Sequence, residues 1–190
     1  MKKFRVLRIS IVALIYLALF PLASASGMIH PACFAYVGTL LPLPFAFLYL
    51  YAAAHLRRFG VAAILNGFVL VVGLIAGEGN PPFIVGMILL AAVAELVRKL
   101  NGYDTLKGVR RSFIPFAFSF YSYSAHWWTD TEGTLEAATE EMRAGYADQL
   151  EAVAGNIPVL ILMLVLVVPV AVLGMRLAEK AMKKQTVLLR

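Results

Sequence analysis

The sequence predicts an all-α integral membrane protein: a bundle of six membrane-spanning helices, with an amphipathic helix outside the membrane between the fifth and the sixth. Three observations predict it. First, hydrophobic residues make up 61% of the 190 and charged residues only 15%, with a mean hydropathy of +0.81; soluble domains lie nearer half apolar and a quarter charged. Second, six stretches can cross about 30 Å of hydrocarbon, which takes roughly 20 residues each. They are 6–26, 31–54, 60–77, 81–97, 112–128 and 156–175.

The third observation is where the charges fall. With the N-terminus in the cytoplasm, 16 of the 17 basic residues lie on the inner side and only Arg143 lies outside. Eight of the 11 acidic residues fall outside: Glu78, Asp130, Glu132, Glu136, Glu140, Glu141, Asp148 and Glu151. That is the positive-inside pattern. It predicts a multi-pass protein of the plasma membrane with both termini cytoplasmic. The net charge of +6 is then topology and contact with the anionic lipid of the bilayer, and no nucleic-acid partner is expected. The chain reads as a single membrane domain over 1–190, and its one cysteine, Cys33, excludes an internal disulfide framework.

The first stretch, MKKFRVLRISIVALIYLALFPLASAS, admits two readings. Basic residues, an apolar run and the small-residue tail Ala23-Ser24-Ala25-Ser26 fit a secretory signal peptide. The apolar run Ile9–Leu22, extended by Val6-Leu7 and Ala23–Ile29, also reaches spanning length. In the second span, Pro42-Leu43-Pro44 predicts a break, because each proline removes an intrahelical hydrogen bond. Pro21, Pro115, Pro158 and Pro169 are further kink candidates. In the third span, Ala63 with Gly67 and Gly73 with Gly77 put small residues four apart on one face. Internal packing of the bundle is the expected use, with a dimer surface as the alternative. Asn66 sits within this span, and a lone amide there demands a partner, expected on a neighbouring helix.

The fifth span is the most unusual. It puts Phe120, Tyr121, Tyr123, His126, Trp127 and Trp128 close together, interleaved with Ser119, Ser122 and Ser124. An interfacial aromatic belt accounts for the tryptophans; flat faces mixed with hydroxyls and an imidazole also suit the wall of a small-ligand site. Beyond it, Leu135, Ala138, Met142, Tyr146, Leu150 and Val153 recur at helical spacing. They predict an amphipathic helix over 129–155, opened by a Thr129/Glu132 capping box and serving as a lid or a surface helix. No catalytic constellation appears: His30, His55 and His126 are scattered, there is no phosphate-binding loop, and no carboxylate lies at the centre of a span. The chain reads as a non-enzyme with no energy source of its own.

Order and texture over nearly the whole chain carry a resemblance. Its parts are the Arg57-Arg58-Phe59-Gly60 turn, the outer turn Gly77-Glu78-Gly79-Asn80-Pro81-Pro82, and Ala94–Lys99 followed by Gly102-Tyr103. The aromatic fifth span, the outer segment rich in Glu, Met, Tyr and Ala, and a last helix ending in Gly174 and lysines complete it. The chain resembles the Trep_Strep family of integral membrane proteins, which is grouped with the substrate-binding S components of energy-coupling factor (ECF) transporters. The resemblance implies a helical first segment rather than a cleaved signal. It also implies capture of a vitamin, cofactor precursor or metal at the outer face, under the loops joining helices one and two, three and four, and five and six. An S component has no intrinsic cofactor: it docks on a membrane scaffold protein, and two cytoplasmic ATPases hydrolyse the ATP. The implied ligand contacts are Tyr121, Tyr123, His126, Trp127 and Trp128, with Glu78, Asn80 and His30 from the other outer turns. Aromatic faces favour a planar organic ligand, such as a metal chelate or porphyrin that His126 or His30 touches. The implied scaffold-docking residues on helix one are Ser10, Ala13 and Ala18, although they are spaced three and five apart rather than four. Two other readings stand beside this one: a structural or regulatory membrane protein using its acidic outer helix, and a membrane enzyme using His126.

Overall fold

The computed structural model describes the backbone of residues 2–189 and the side chains of 7–189. Lys2, Lys3, Arg5 and Arg190, counted above among the inner charges, have side chains outside the described residues, as does Val6 at the start of the first span. The described chain is about 82% helix with no strand.

Helix α1 runs Lys2–Ser24 and passes through a 3-10 turn, Ala25–Met28, into α2 (Pro31–Val37) and α3 (Pro42–His55). Then follow α4 (Val61–Ile75), α5 (Pro81–Asn101), α6 (Leu106–Phe116), α7 (Ser119–Ser124), α8 (His126–Thr129), α9 (Thr131–Glu141), α10 (Tyr146–Ala154), α11 (Ile157–Ala181) and α12 (Lys183–Val187). Among the described residues, three stretches are long and apolar enough to cross a membrane: Leu7–Met28, Pro31–His55 and Ile157–Ala181. Val61–Ile75 is apolar but shorter, and α5 carries Glu95, Arg98 and Lys99 in its last turns. Exposed Ile161, Leu162, Val165 and Leu173 line α11 on the outside of the bundle. A broad apolar exterior of this kind needs lipid rather than water against it.

The prolines break helices, but not all where the sequence placed the break. The second span is interrupted at 38–41, and Pro42 opens α3 at its first turn, where its missing N–H costs nothing. The break reaches the core because Gly38 lies against the ring of Tyr121, where a Cβ would sit 3.0 Å from Cε2. The fifth span is three short pieces rather than one helix. Pro115 donates no hydrogen bond, and the chain tightens through Ala117, whose N–H donates to the carbonyls of Phe113 and Ile114. The acidic segment is two helices meeting at Gly145, which adopts φ +79°, a conformation that suits glycine. Its first helix is not opened by a Thr129/Glu132 box. Asp130 caps it by accepting from the Gly133 N–H at 3.3 Å, while the Thr129 hydroxyl donates to the Ala125 carbonyl.

Aromatic rings form the centre of the bundle. Tyr16, Phe45, Tyr49, Phe113 and Phe116 are fully buried, with ring centroids 4.7 Å apart for Tyr16–Phe45 and for Tyr49–Phe116. Among them Asn66 finds the neighbours it needs. Its Oδ1 accepts from the Tyr16 hydroxyl at 2.9 Å, and its Nδ2 donates to Ser119 Oγ at 3.0 Å, tying α4 to α1 and α7. Gly86 and Gly174 permit close contacts: a Cβ would lie 2.3 Å from Ser122 Cβ at the first and 2.8 Å from the Pro42 carbonyl oxygen at the second. Gly67 differs. Nothing lies within 4 Å of an added Cβ, so the Ala63/Gly67 pair borders open space instead of packing inside the bundle.

At one end of the bundle, α5 clamps the turn between α3 and α4. Glu95 Oε1 accepts from the Ala62 N–H at 2.8 Å, placing a carboxylate at the N-terminus of α4, where the helix dipole favours it. One turn on, Arg98 Nη2 donates to the carbonyls of Ala53, Leu56 and Tyr103, closing the C-terminus of α3. At the same end Arg110 Nε donates to Glu179 Oε1 at 2.6 Å, and the Leu106 N–H donates to the Leu189 carbonyl. This is the basic end of the molecule; the acidic α9–α10 segment and the aromatic α7–α8 segment occupy the other.

Candidate functional site

The residues at the aromatic end divide by helix geometry. Tyr121 and Tyr123 are two apart on α7, so their rings leave on opposite sides. Tyr121 is buried against α2 and α11: Thr39 Oγ1 lies 2.6 Å from the phenol oxygen and donates its own hydrogen to the Met163 carbonyl, so Tyr121 is the donor. Tyr123 turns the other way and donates to Glu78 Oε1 at 3.2 Å, joining α7 to the α4–α5 turn. Of the eight implied ligand contacts, these two are the pair joined by a side-chain hydrogen bond.

The remaining five have distinct roles. Trp127 is buried, its ring 4.6 Å from Phe34. Trp128 is partly exposed and 6.5 Å from Trp127 between ring centres, but its Nε1 is buried with no protein partner. His126 Nδ1 lies 3.0 Å from the Tyr123 carbonyl, an acceptor, so Nδ1 carries the hydrogen and Nε2 is the remaining ring nitrogen. Asn80 caps α5 by accepting from the Phe83 N–H at 2.9 Å. Exposed His30 caps α2, its Nδ1 accepting from the Ala32 N–H at 3.1 Å. Both are therefore turn-forming residues as well as outer-turn residues.

Residues outside that set complete the site. Phe20 stacks edge-on to Tyr123 at 5.9 Å and lies 5.5 Å from Phe120; Phe83 meets Tyr123 at 5.5 Å. Phe34 reaches Phe120, Tyr123 and Trp127 together. Nothing in the local sequence marks Phe20, Phe34 and Phe83, because single phenylalanines in apolar stretches are ordinary core residues; Phe120 belongs to the cluster the sequence shows. The buried Ser124 hydroxyl, like Trp128 Nε1, has no protein partner. Ser124 ends α7 and Trp128 lies in α8, so two buried donors flank the turn at Ala125.

The acidic segment lies over this end. Tyr146 is buried beside Gly27, Leu150 is buried, and the Tyr36 hydroxyl donates to the Val153 carbonyl at 3.4 Å. Arg143 Nη2 donates to the Ile29 carbonyl at 3.1 Å, fastening the α9–α10 junction to the turn after α1. Burial pushes the Tyr146 phenol above its ordinary value, with Arg143 acting in the opposite sense. Among the described residues no three His, Cys, Asp or Glu side chains gather as a metal site.

On α1, Ser10 and Ala18 are exposed whereas Ala13 is buried in the bundle. Ser10 and Ala13 border a groove of about 540 Å³ against α4, together with Ala63 and Gly67. Ala18 lies farther along the helix and is not among the residues lining that groove.

No curated protein and no solved structure matches the chain. One family model does, that of a hypothetical bacterial integral membrane protein, and it covers residues 5–187. With nearly all of its length matched, the chain belongs to the Trep_Strep family of bacterial integral membrane proteins.

Proposed function

We propose that the protein is the substrate-capture subunit of an ATP-driven ECF-type importer, holding a small planar organic ligand at its aromatic end. The observation that carries this reading is a pair of buried donors lacking protein partners, Ser124 and Trp128, on the α7–α8 segment that also carries Tyr123, the partner of Glu78. A buried polar group is stable when hydrogen-bonded, and a bound molecule rich in acceptors supplies what these two lack. The surrounding rings offer flat apolar faces, and α9–α10, pinned through Arg143 and Tyr146, serves as the cover. In this reading the chain crosses the membrane six times with both termini cytoplasmic. The shorter α4, the charged α5 and the broken α6–α8 complete the spans, and the basic end faces the cytoplasm.

Its partners are then a membrane scaffold protein and two cytoplasmic ATPases. The scaffold meets α1 through exposed Ser10 and Ala18, with Ala13 buried at the floor of the α1–α4 groove. Ligand is held by Tyr123, His126 and Trp128, with Glu78 from the adjoining turn, while Tyr121 and Trp127 pack behind that wall and Asn80 and His30 shape the outer turns. The protein itself carries out no chemistry. Native mass spectrometry of the gently purified chain, with affinity capture of its partners, tests this. A retained organic mass lost on Trp128→Phe and Ser124→Ala, together with captured ATPases, is the expected result. A chain that carries no small molecule and captures no ATPase overturns it.

A further inference from the structure

Between α4 and α5, at the basic end and away from the aromatic site, lies a groove of about 680 Å³. That is the size of a site for one small molecule, which spans about 300–1,000 Å³. Its walls are Ala63, Gly67, Leu70, Met87, Ala91 and Ala92. The space beside Gly67 is truly open, since no atom lies within 4 Å of an added Cβ there. Toward the end of α5 the lining turns polar, with Glu95, Lys99 and Tyr103. Glu95 is 3% exposed; one carboxylate oxygen is held by the Ala62 N–H, and the other, Oε2, is buried with no hydrogen-bond partner. Lys99 follows four residues later, one turn nearer the surface on the same side of the helix.

The groove therefore presents three features in order: an exposed cation at its mouth, an acceptor in need of a donor one turn deeper, and an apolar trough beyond. We propose that it binds a single-chain lysophospholipid with an anionic head group. The phosphate meets the Lys99 ammonium, the free glycerol hydroxyl donates to Glu95 Oε2, and the one acyl chain lies along Ala63, Gly67 and Met87. A diacyl lipid lacks that hydroxyl, its second chain replacing the donor that Glu95 requires. The charges are complementary in order and in sign.

The test uses the full-length chain in detergent, titrated with lysophosphatidic acid, whose backbone hydroxyl is its one alcohol, and, separately, with diacyl phosphatidic acid and lysophosphatidylcholine, and read by native mass spectrometry. One saturable lysophosphatidic acid per chain is expected, with diacyl phosphatidic acid at least about tenfold weaker, the effect of one hydrogen bond to a charged group. Gly67 borders the α1–α4 groove as well, so Gly67→Leu is paired with Ala92→Leu, on the exposed wall of α5 that lines this groove alone, and both should abolish binding. Lys99→Gln should remove the preference over lysophosphatidylcholine, and Glu95→Gln should weaken binding about tenfold. Equal binding of the diacyl lipid, non-saturable binding, or wild-type binding by either leucine variant each overturns the proposal. The mass of the bound species separates this groove from the aromatic site, so either assignment can fail alone.

Discussion

The two ends of the bundle handle polar groups in opposite ways. At the aromatic end, side chains supply packing: Phe20, Phe34, Phe83 and Phe120 surround Tyr123, and its polar contact is one bond to Glu78. At the basic end, two charged side chains on α5 serve the backbone: Glu95 holds the start of α4 and Arg98 the end of α3. Helix ends inside a bilayer leave N–H and C=O groups that no water can reach, so a buried ion there replaces solvent. Open space follows side-chain size rather than residue class. It lies beside Gly67 on apolar α4, where the flanking side chains are small.

The sharpest way to break this comparison is to remove the backbone clamp. Arg98→Met should be the most damaging substitution, costing about 3 kcal/mol or more, since it strands the carbonyls of Ala53, Leu56 and Tyr103 and leaves Glu95 without its neighbouring cation. Denaturant unfolding in mild detergent measures it, and a loss below that of a single aromatic truncation would mean the clamp is dispensable. Next come the glycines. Gly86→Ala and Gly174→Ala should each cost about 1–3 kcal/mol, because a methyl would press on Ser122 and on the α3 backbone. Gly67→Ala should be nearly neutral. If the three behave alike in thermal melts, the distinction between filled and open regions is wrong.

Asn66→Ala should cost about 1–2 kcal/mol, leaving the Tyr16 hydroxyl and Ser119 to find new partners within the bundle. The smallest effect should be at the cover. Tyr146 has its phenol raised by burial, so its neutral form is the one that packs. The stability it contributes is complete below the unfolded value near pH 10 and declines as pH climbs through the raised folded value. Amide exchange of α9–α10 should quicken in that range, and Tyr146→Phe should remove the pH dependence. An identical pH profile in the Phe variant would show that the phenol is not what loosens.

Much of the fold was legible. Composition alone required a membrane protein, and Asn66 required an interhelical partner. The helical spacing of Leu135, Ala138, Tyr146, Leu150 and Val153 marked the face that the outer segment buries or half-buries, whereas Met142, expected on the same face, is exposed where α9 ends. What misled was continuity. A hydropathy window cannot register that Ala117 and Gly145 end one helix and begin another, because backbone turns leave apolar composition unchanged. The site was legible as a cluster, but not in its pairings. Tyr123 with Glu78 and Tyr121 with Thr39 join residues 45 and 82 positions apart.

The sequence by itself determined the solvent of this protein, the segregation of its charges to two ends and the residues rich enough in rings to build a core. These follow from composition and from spacing along one chain. Only the tertiary structure decided which ring faces which helix, that Glu95 and Arg98 serve the ends of other helices, and that Gly67 borders a void whereas Gly86 admits a neighbour. A glycine has no side chain with which to signal what approaches it. A buried ion signals that it needs partners, but the fold alone brings those partners within hydrogen-bonding reach.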